Sequence, residues 1–230
     1  MNYRKDKIIE ETKELAAASR MNTEKDEVII LERTFVVQPK VFDPRIFFST
    51  AWFAENVARL VKGEADFCEI GCGTGAVTII SLLENQTLEA VVGDVNSYAV
   101  VNTNENAKFH KVKDRLNVLE SDVFDNFPKS KKYDSIFWAM PFGYMEADEQ
   151  VDLIDLQTFD PGYRAIRKFF ETARQYLKPN GRLLVGFSRE IGTEELLEQL
   201  VKENKFSMKL LCEEQGTEKS TVTMQIWEMK

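Results

Sequence analysis

Glu69 stands two residues before three alternating glycines, Gly71, Gly73 and Gly75, with Cys72 between the first two, and Asp94 closes the next apolar run. The glycines follow the short apolar run Phe67-Cys68-Glu69-Ile70 and lead into Ala76-Val77-Thr78-Ile79-Ile80-Ser81-Leu82-Leu83, so the spacing predicts a strand, a tight turn and a helix start. A turn without Cβ atoms lets a ligand lie against bare backbone, and the first N–H groups of a helix point at it. Chemically this is a nucleotide-type cofactor site.

Two cofactor classes use such a turn. Gly71, Gly73 and Ala76 fit the dinucleotide pattern G-x-G-x-x-G/A, with Asp94 at the distance of a ribose-binding acid, so NAD is one reading. The other is E-x-G-x-G-x-G, met by Glu69, Gly71, Gly73 and Gly75. A carboxylate repels a pyrophosphate but attracts the sulfonium and ammonium of S-adenosylmethionine (SAM), and Glu69 therefore favours SAM. Asp94 offers two acceptor oxygens to the two adjacent hydroxyls of a ribose, which makes it the strongest single cofactor residue.

At Glu69-Ile70-Gly71-Cys72-Gly73-Thr74-Gly75 the sequence resembles the class I SAM-dependent methyltransferases, and within them the HemK-like or "small" group. The resemblance covers roughly residue 41 to the C-terminus. It implies that Asp122, after the strand Leu116-Asn117-Val118-Leu119, accepts from the adenine amino group and that Val123 lies on the ring. It also implies that Pro44-Arg45 turn into the cofactor pocket, and that the methyl acceptor is held at Ala139-Met140-Pro141-Phe142, after the strand Tyr133-Asp134-Ser135-Ile136-Phe137-Trp138. Family members that methylate planar nitrogens carry N-P-P-Y or N-P-P-F there. Pro141 and Phe142 match, whereas Ala139 and Met140 do not, and alanine cannot make the amide's hydrogen bonds. No side-chain nucleophile is required, because the sulfonium is already an activated leaving group and the protein's task is placement and dehydration.

The elements that must position these residues follow from periodicity. A helix is predicted over residues 7–19, then two strands, Glu27-Val28-Ile29-Ile30-Leu31 and Thr34-Phe35-Val36-Val37, broken at Glu32-Arg33. A helix over residues 46–61 carries Phe48, Trp52, Phe53, Val57 and Leu60; another is expected over 97–109. The connection over 143–163 has no lysine or arginine and holds Glu146, Asp148, Glu149, Asp152, Asp155 and Asp160. If it rims the acceptor pocket it favours a neutral or cationic substrate, a small molecule or a protein side chain, over nucleic acid. Asp160-Pro161 should open the next helix, which Pro179-Asn180-Gly181 ends, and a strand over 182–187 and a helix near 196–201 follow. The last two strands, near 206–211 and 221–227, are joined too closely to be parallel, which predicts a terminal antiparallel pair and counts against a dehydrogenase.

The expected whole is one α/β chain with a Rossmann-like, seven-stranded, mostly parallel sheet whose last strand is antiparallel. Residues 1–40 form a helix and small hairpin, and residues 41–230 the methyltransferase domain. A length of 230 residues with 43% hydrophobic content supports a full core, and no apolar run approaches the ~20 residues of a membrane span. A soluble, cytosolic protein is expected. Three cysteines, Cys68, Cys72 and Cys212, and the single His110 give neither a disulfide framework nor metal-ligand spacing. The net charge of −8 disfavours a nonspecific hold on polyanions, and the basic clusters at 108–115 and 129–132 read as solvated faces.

Overall fold

The computed structural model describes residues 3–20, 23–47, 49–141, 143–149, 152, 155–215 and 222–230. Helix α1 (Tyr3–Arg20) leads to a hairpin of β1 (Asp26–Ile30) and β2 (Arg33–Val37), and α2 (Ser49–Leu60) enters the main fold. There follow β3 (Asp66–Ile70), α3 (Ala76–Glu84), β4 (Glu89–Asp94), α4 (Ser97–Phe109), β5 (Leu116–Glu120) and β6 (Tyr133–Ala139). The rest comprises β7 (Gly143–Met145), β8 (Phe159–Pro161), α5 (Arg164–Ala173), β9 (Leu177–Phe187), α6 (Glu194–Glu203), β10 (Met208–Glu214) and β11 (Met224–Met229).

Seven strands form one sheet in the order β10-β11-β9-β6-β3-β4-β5, and only β11 runs against its neighbours. This is the expected Rossmann-like sheet with an antiparallel last strand. Its central strands are apolar on both faces, as a sheet covered by helices on both sides requires. Phe67, Val92, Phe137 and Leu184 pack with α2 and α3, including Phe53, Val57, Ile79 and Leu82. Their alternates Cys68, Ile70, Val91, Ile136, Trp138, Leu183 and Val185 pack with α5 and α6, including Ile166, Phe169, Phe170 and Leu197. A period of two distributes neighbouring residues to opposite layers.

Four local expectations shift. The hairpin turns at Leu31 and Glu32, one residue earlier than the pattern suggested, and both adopt positive φ (47° and 62°), the mirror-image turn that matches strand twist. The helix expected from Ile46 starts at Ser49 instead, and Phe48 lies outside the described residues. Pro179-Asn180-Gly181 does not end an element; it is an irregularity inside β9, whose partners pass from Tyr133↔Leu177 to Ser135↔Arg182. The connection over 143–163 contains a parallel pair, β7 with β8, so Asp160 is a strand residue and α5 begins only at Arg164. Asp160 still serves that helix: its carboxylate accepts from Ala165 N at 3.2 Å and Ile166 N at 2.8 Å, filling first-turn N–H groups from outside the helix. Among the described residues no helix is long and apolar enough to cross a membrane.

Candidate functional site

The turn between β3 and α3 is built from residues that only glycine suits. Gly71, Gly73 and Gly75 have φ of 67°, 53° and 79°, where a Cβ is disfavoured. At Gly71 a Cβ would lie 3.0 Å from the Trp138 ring nitrogen, and at Gly75 it would lie 2.8 Å from Thr103 Cγ2. At Gly73 its nearest neighbour is 3.9 Å away, so this is the point where the backbone is open to a ligand. Gly71 N and Cys72 N donate to Gly93 O (2.8 and 3.2 Å), which locks the turn to the end of β4.

Asp94 closes the other side. Its Oδ2 accepts from Gly73 N and its Oδ1 from Asn96 N, each at 2.9 Å, so the carboxylate is fixed in place. Each oxygen keeps acceptor capacity, the requirement for two ribose hydroxyls. Burial pushes its pKa up, and the two backbone donors pull it back.

Glu69 is only 3% exposed and its Oε2 accepts from the Thr78 hydroxyl of α3. Burial raises its pKa to about 8, the Asp94 charge adds to the rise, and the Thr78 hydrogen bonds oppose it. The protonated form is thereby favoured at neutral pH, and a cation placed beside Glu69 would favour ionisation.

A cavity of about 670 Å³ runs across the carboxyl ends of the central strands. Glu69, Gly71, Cys72, Gly73, Asp94, Asp122, Val123, Ala139, Met140 and Pro141 all line it, so one space joins the glycine turn to the tip of β6. Phe142 lies outside the described residues. Gly75 does not border the cavity; it faces Thr103 on α4 and permits close helix packing. Val123 is buried with φ of +52°, unusual for a β-branched residue. Asp122 is half-exposed, and Lys168 of α5 pairs with it at 2.8 Å and with Asp125 at 2.7 Å. Arg45 turns away from the cavity: its guanidinium grips Asp43 at 2.7–3.1 Å and also pairs with Asp26, while its neighbours Ile46 and Phe47 line the wall.

Sequence reasoning overlooked one wall. Ile8, Glu11, Thr12 and Leu15 of α1, at helical i, i+3, i+4, i+7 spacing, border the same cavity. That spacing was visible, but nothing local said what the stripe would face. Asp160 also reaches the wall, as do Val222, just before β11, and Met224 at its start. Among the described residues no group of His, Cys, Asp and Glu could hold a metal.

The methyltransferase small domain family matches residues 32–210. The chain is 30% identical over 181 residues to the release factor glutamine methyltransferase of Aquifex aeolicus, covering 73% of this chain and 62% of that protein. It is 31% identical over 134 residues to a bifunctional methyltransferase of Rickettsia felis, covering 53% of this chain and 25% of that protein. It thus spans less than two thirds of the length of these curated relatives. Among solved structures, the T. thermophilus 16S rRNA N2 G1207 methyltransferase in complex with AdoMet and guanosine superposes with a TM-score of 0.61 at 18% identity, over 90% of this chain and 50% of that one. At that identity the likeness speaks to the fold alone.

Proposed function

Because the chain belongs to the methyltransferase small domain family, we propose that it transfers a methyl group from SAM to a neutral or cationic acceptor, through nitrogen, on a small molecule or a protein side chain. One observation carries this reading: a single cavity connects the buried Glu69 and the anchored Asp94 with the strand tip at Ala139-Met140-Pro141. The residues fit SAM. Asp94 has acceptor capacity for the ribose, Gly73 leaves the backbone open, and Glu69, held protonated by burial, is favoured to ionise beside a positive charge, a gain that a diphosphate cannot give.

SAM supplies a methyl group on a sulfonium that needs no further activation. The chain's own work is to hold the acceptor in line and to exclude water. Trp138, Phe47, Phe53 and Phe187 give the cavity apolar walls. Besides the buried Glu69, four carboxylates border it (Glu11, Asp94, Asp122 and Asp160) against the basic Arg164 and Lys168, and Lys168 is already engaged by Asp122 and Asp125. That balance supports a neutral or cationic acceptor over a polyanion. Ala139 has no amide with which to hold a glutamine side chain, so backbone carbonyls at the strand tip and the apolar walls take over positioning. Where the acceptor nitrogen must shed a proton, Asp160, the acid of the 143–163 connection that reaches the wall, is positioned to receive it.

Incubation with methyl-labelled SAM and fractionated cell extract tests the reading. Label is expected in small molecules or protein. Transfer to RNA or DNA would reject the acceptor class, and a rise in melting temperature with NAD but not with SAM would reject the cofactor.

A further inference from the structure

Helix α4 carries Asn102 and Asn106 on one face, and His110, which caps its C-terminus, follows at the same four-residue spacing. That face meets the outer edge of β2. His110 Nε2 reaches Thr34 O at 2.9 Å; Asn106 accepts from Val36 N at 2.8 Å and donates to Val36 O at 2.9 Å. Asn102 accepts from Gln38 N and donates to Val36 O, each at 2.8 Å. Thr34, Val36 and Gln38 are alternate residues, so the helix side chains take the place of a neighbouring strand and satisfy an edge that would otherwise be open.

The same helix reaches the glycine turn. Asn106 Nδ2 also donates to Thr74 O at 2.9 Å, and the Thr103 hydroxyl donates to Gly73 O at 3.0 Å. Asn102, Thr103 and Asn106 are all fully buried. We propose that Thr103 and Asn106 are positioning residues for the cofactor turn, an inference that rests on the SAM reading of the site. In a trans peptide the N–H points opposite its carbonyl. Holding Gly73 O on the α4 side therefore aims Thr74 N–H away from α4, and that N–H makes no hydrogen bond among the described residues. Thr74 borders the cavity. A turn with three glycines at positive φ has little intrinsic preference for one set of peptide orientations; Gly93 O and Asp94 hold its N–H groups, and the two side chains hold the carbonyls of Gly73 and Thr74. Neither residue touches the reacting atoms.

Asn102 provides an internal control, because it holds the hairpin in the same way but makes no bond to the turn. The protein and its Thr103→Val, Thr103→Ser, Asn106→Leu and Asn102→Leu variants are titrated with SAM by calorimetry well below their melting temperatures. Thr103→Val and Asn106→Leu are expected to weaken SAM about tenfold, the size of one lost buried hydrogen bond. Thr103→Ser should restore wild-type affinity, and Asn102→Leu should change it less than about twofold while still lowering the melting temperature. Should Asn106→Leu fail to fold, the near-isosteric Thr103→Val decides alone. Wild-type affinity in Thr103→Val, or an equal loss in Asn102→Leu, overturns the inference. A wild-type chain that does not bind SAM would overturn the functional reading itself.

Discussion

Glu69 shows how one residue can be acid or base according to what lies beside it. With its pKa raised to about 8, mainly by burial, the folded chain keeps a proton that the unfolded chain releases in the ordinary carboxylate range. Its contribution to stability is thus full below that range and is lost as pH rises through about 8. A positively charged ligand favours the ionised form, so SAM should bind more tightly as pH goes from 6 to 8, with proton release. Calorimetry in two buffers of different ionisation enthalpy measures this; Glu69→Gln should flatten the profile, and a flat wild-type profile would mean that no cation docks at Glu69. For Asp94, Asp94→Ala removes the acceptors proposed for the ribose and the anchors of Gly73 N and Asn96 N together. Hydrogen bonds of this kind are worth about 1.5–3 kcal/mol, so SAM affinity should fall roughly 10- to 100-fold. Unchanged affinity in a direct titration would exclude Asp94 from the cofactor site.

At the scale of elements, α3 is held by what surrounds its first turn. Gly75 has φ of 79° and no room for a Cβ against Thr103, so Gly75→Ala must move α4 or distort the turn. A cost of about 1–3 kcal/mol is expected, read as a lower denaturation midpoint with an unchanged slope; an equally stable variant would show that α4 gives way freely. The far end of α3 has a different solution: Arg115 donates to Leu82 O, Asn85 O and Leu88 O, covering carbonyls that the helix leaves unpaired. The glycine motif announced the turn of the first arrangement, though not that Gly75 faces Thr103. Nothing near Arg115 announced the second, because its partners lie about thirty residues away and meet it only after β4 and β5 are paired.

Across the whole molecule, stability and the site occupy opposite ends of the sheet. At the amino ends of the strands Arg182 donates to Glu228 at 2.9 Å, to Glu64 at 3.0 Å and to Leu60 O at 2.7 Å, and Ser135 joins at Glu64. Burial raises the pKa of Glu64, and its Oε2 has no hydrogen-bond partner among the described residues, so Glu64 relies on this cation. Arg182→Met should destabilise the chain by about 3 kcal/mol while leaving SAM affinity intact. A titration showing weaker SAM binding in the folded variant would contradict this division.

The sequence by itself determined the order of the main-sheet strands, the reversed last strand and the glycine turn, since each rests on short-range information. Period-two and helical apolar patterns, glycines at fixed spacing and a connection too short for a parallel crossover all act within a few residues. Only the tertiary structure decided that Asp122 faces Lys168, that Arg45 turns away to Asp43 and Asp26, that Gly75 faces Thr103, and that α1 walls the cavity. Those outcomes depend on which side chains, distant along the chain, arrive within hydrogen-bond reach once both layers have packed on the sheet. No local pattern encodes that arrival.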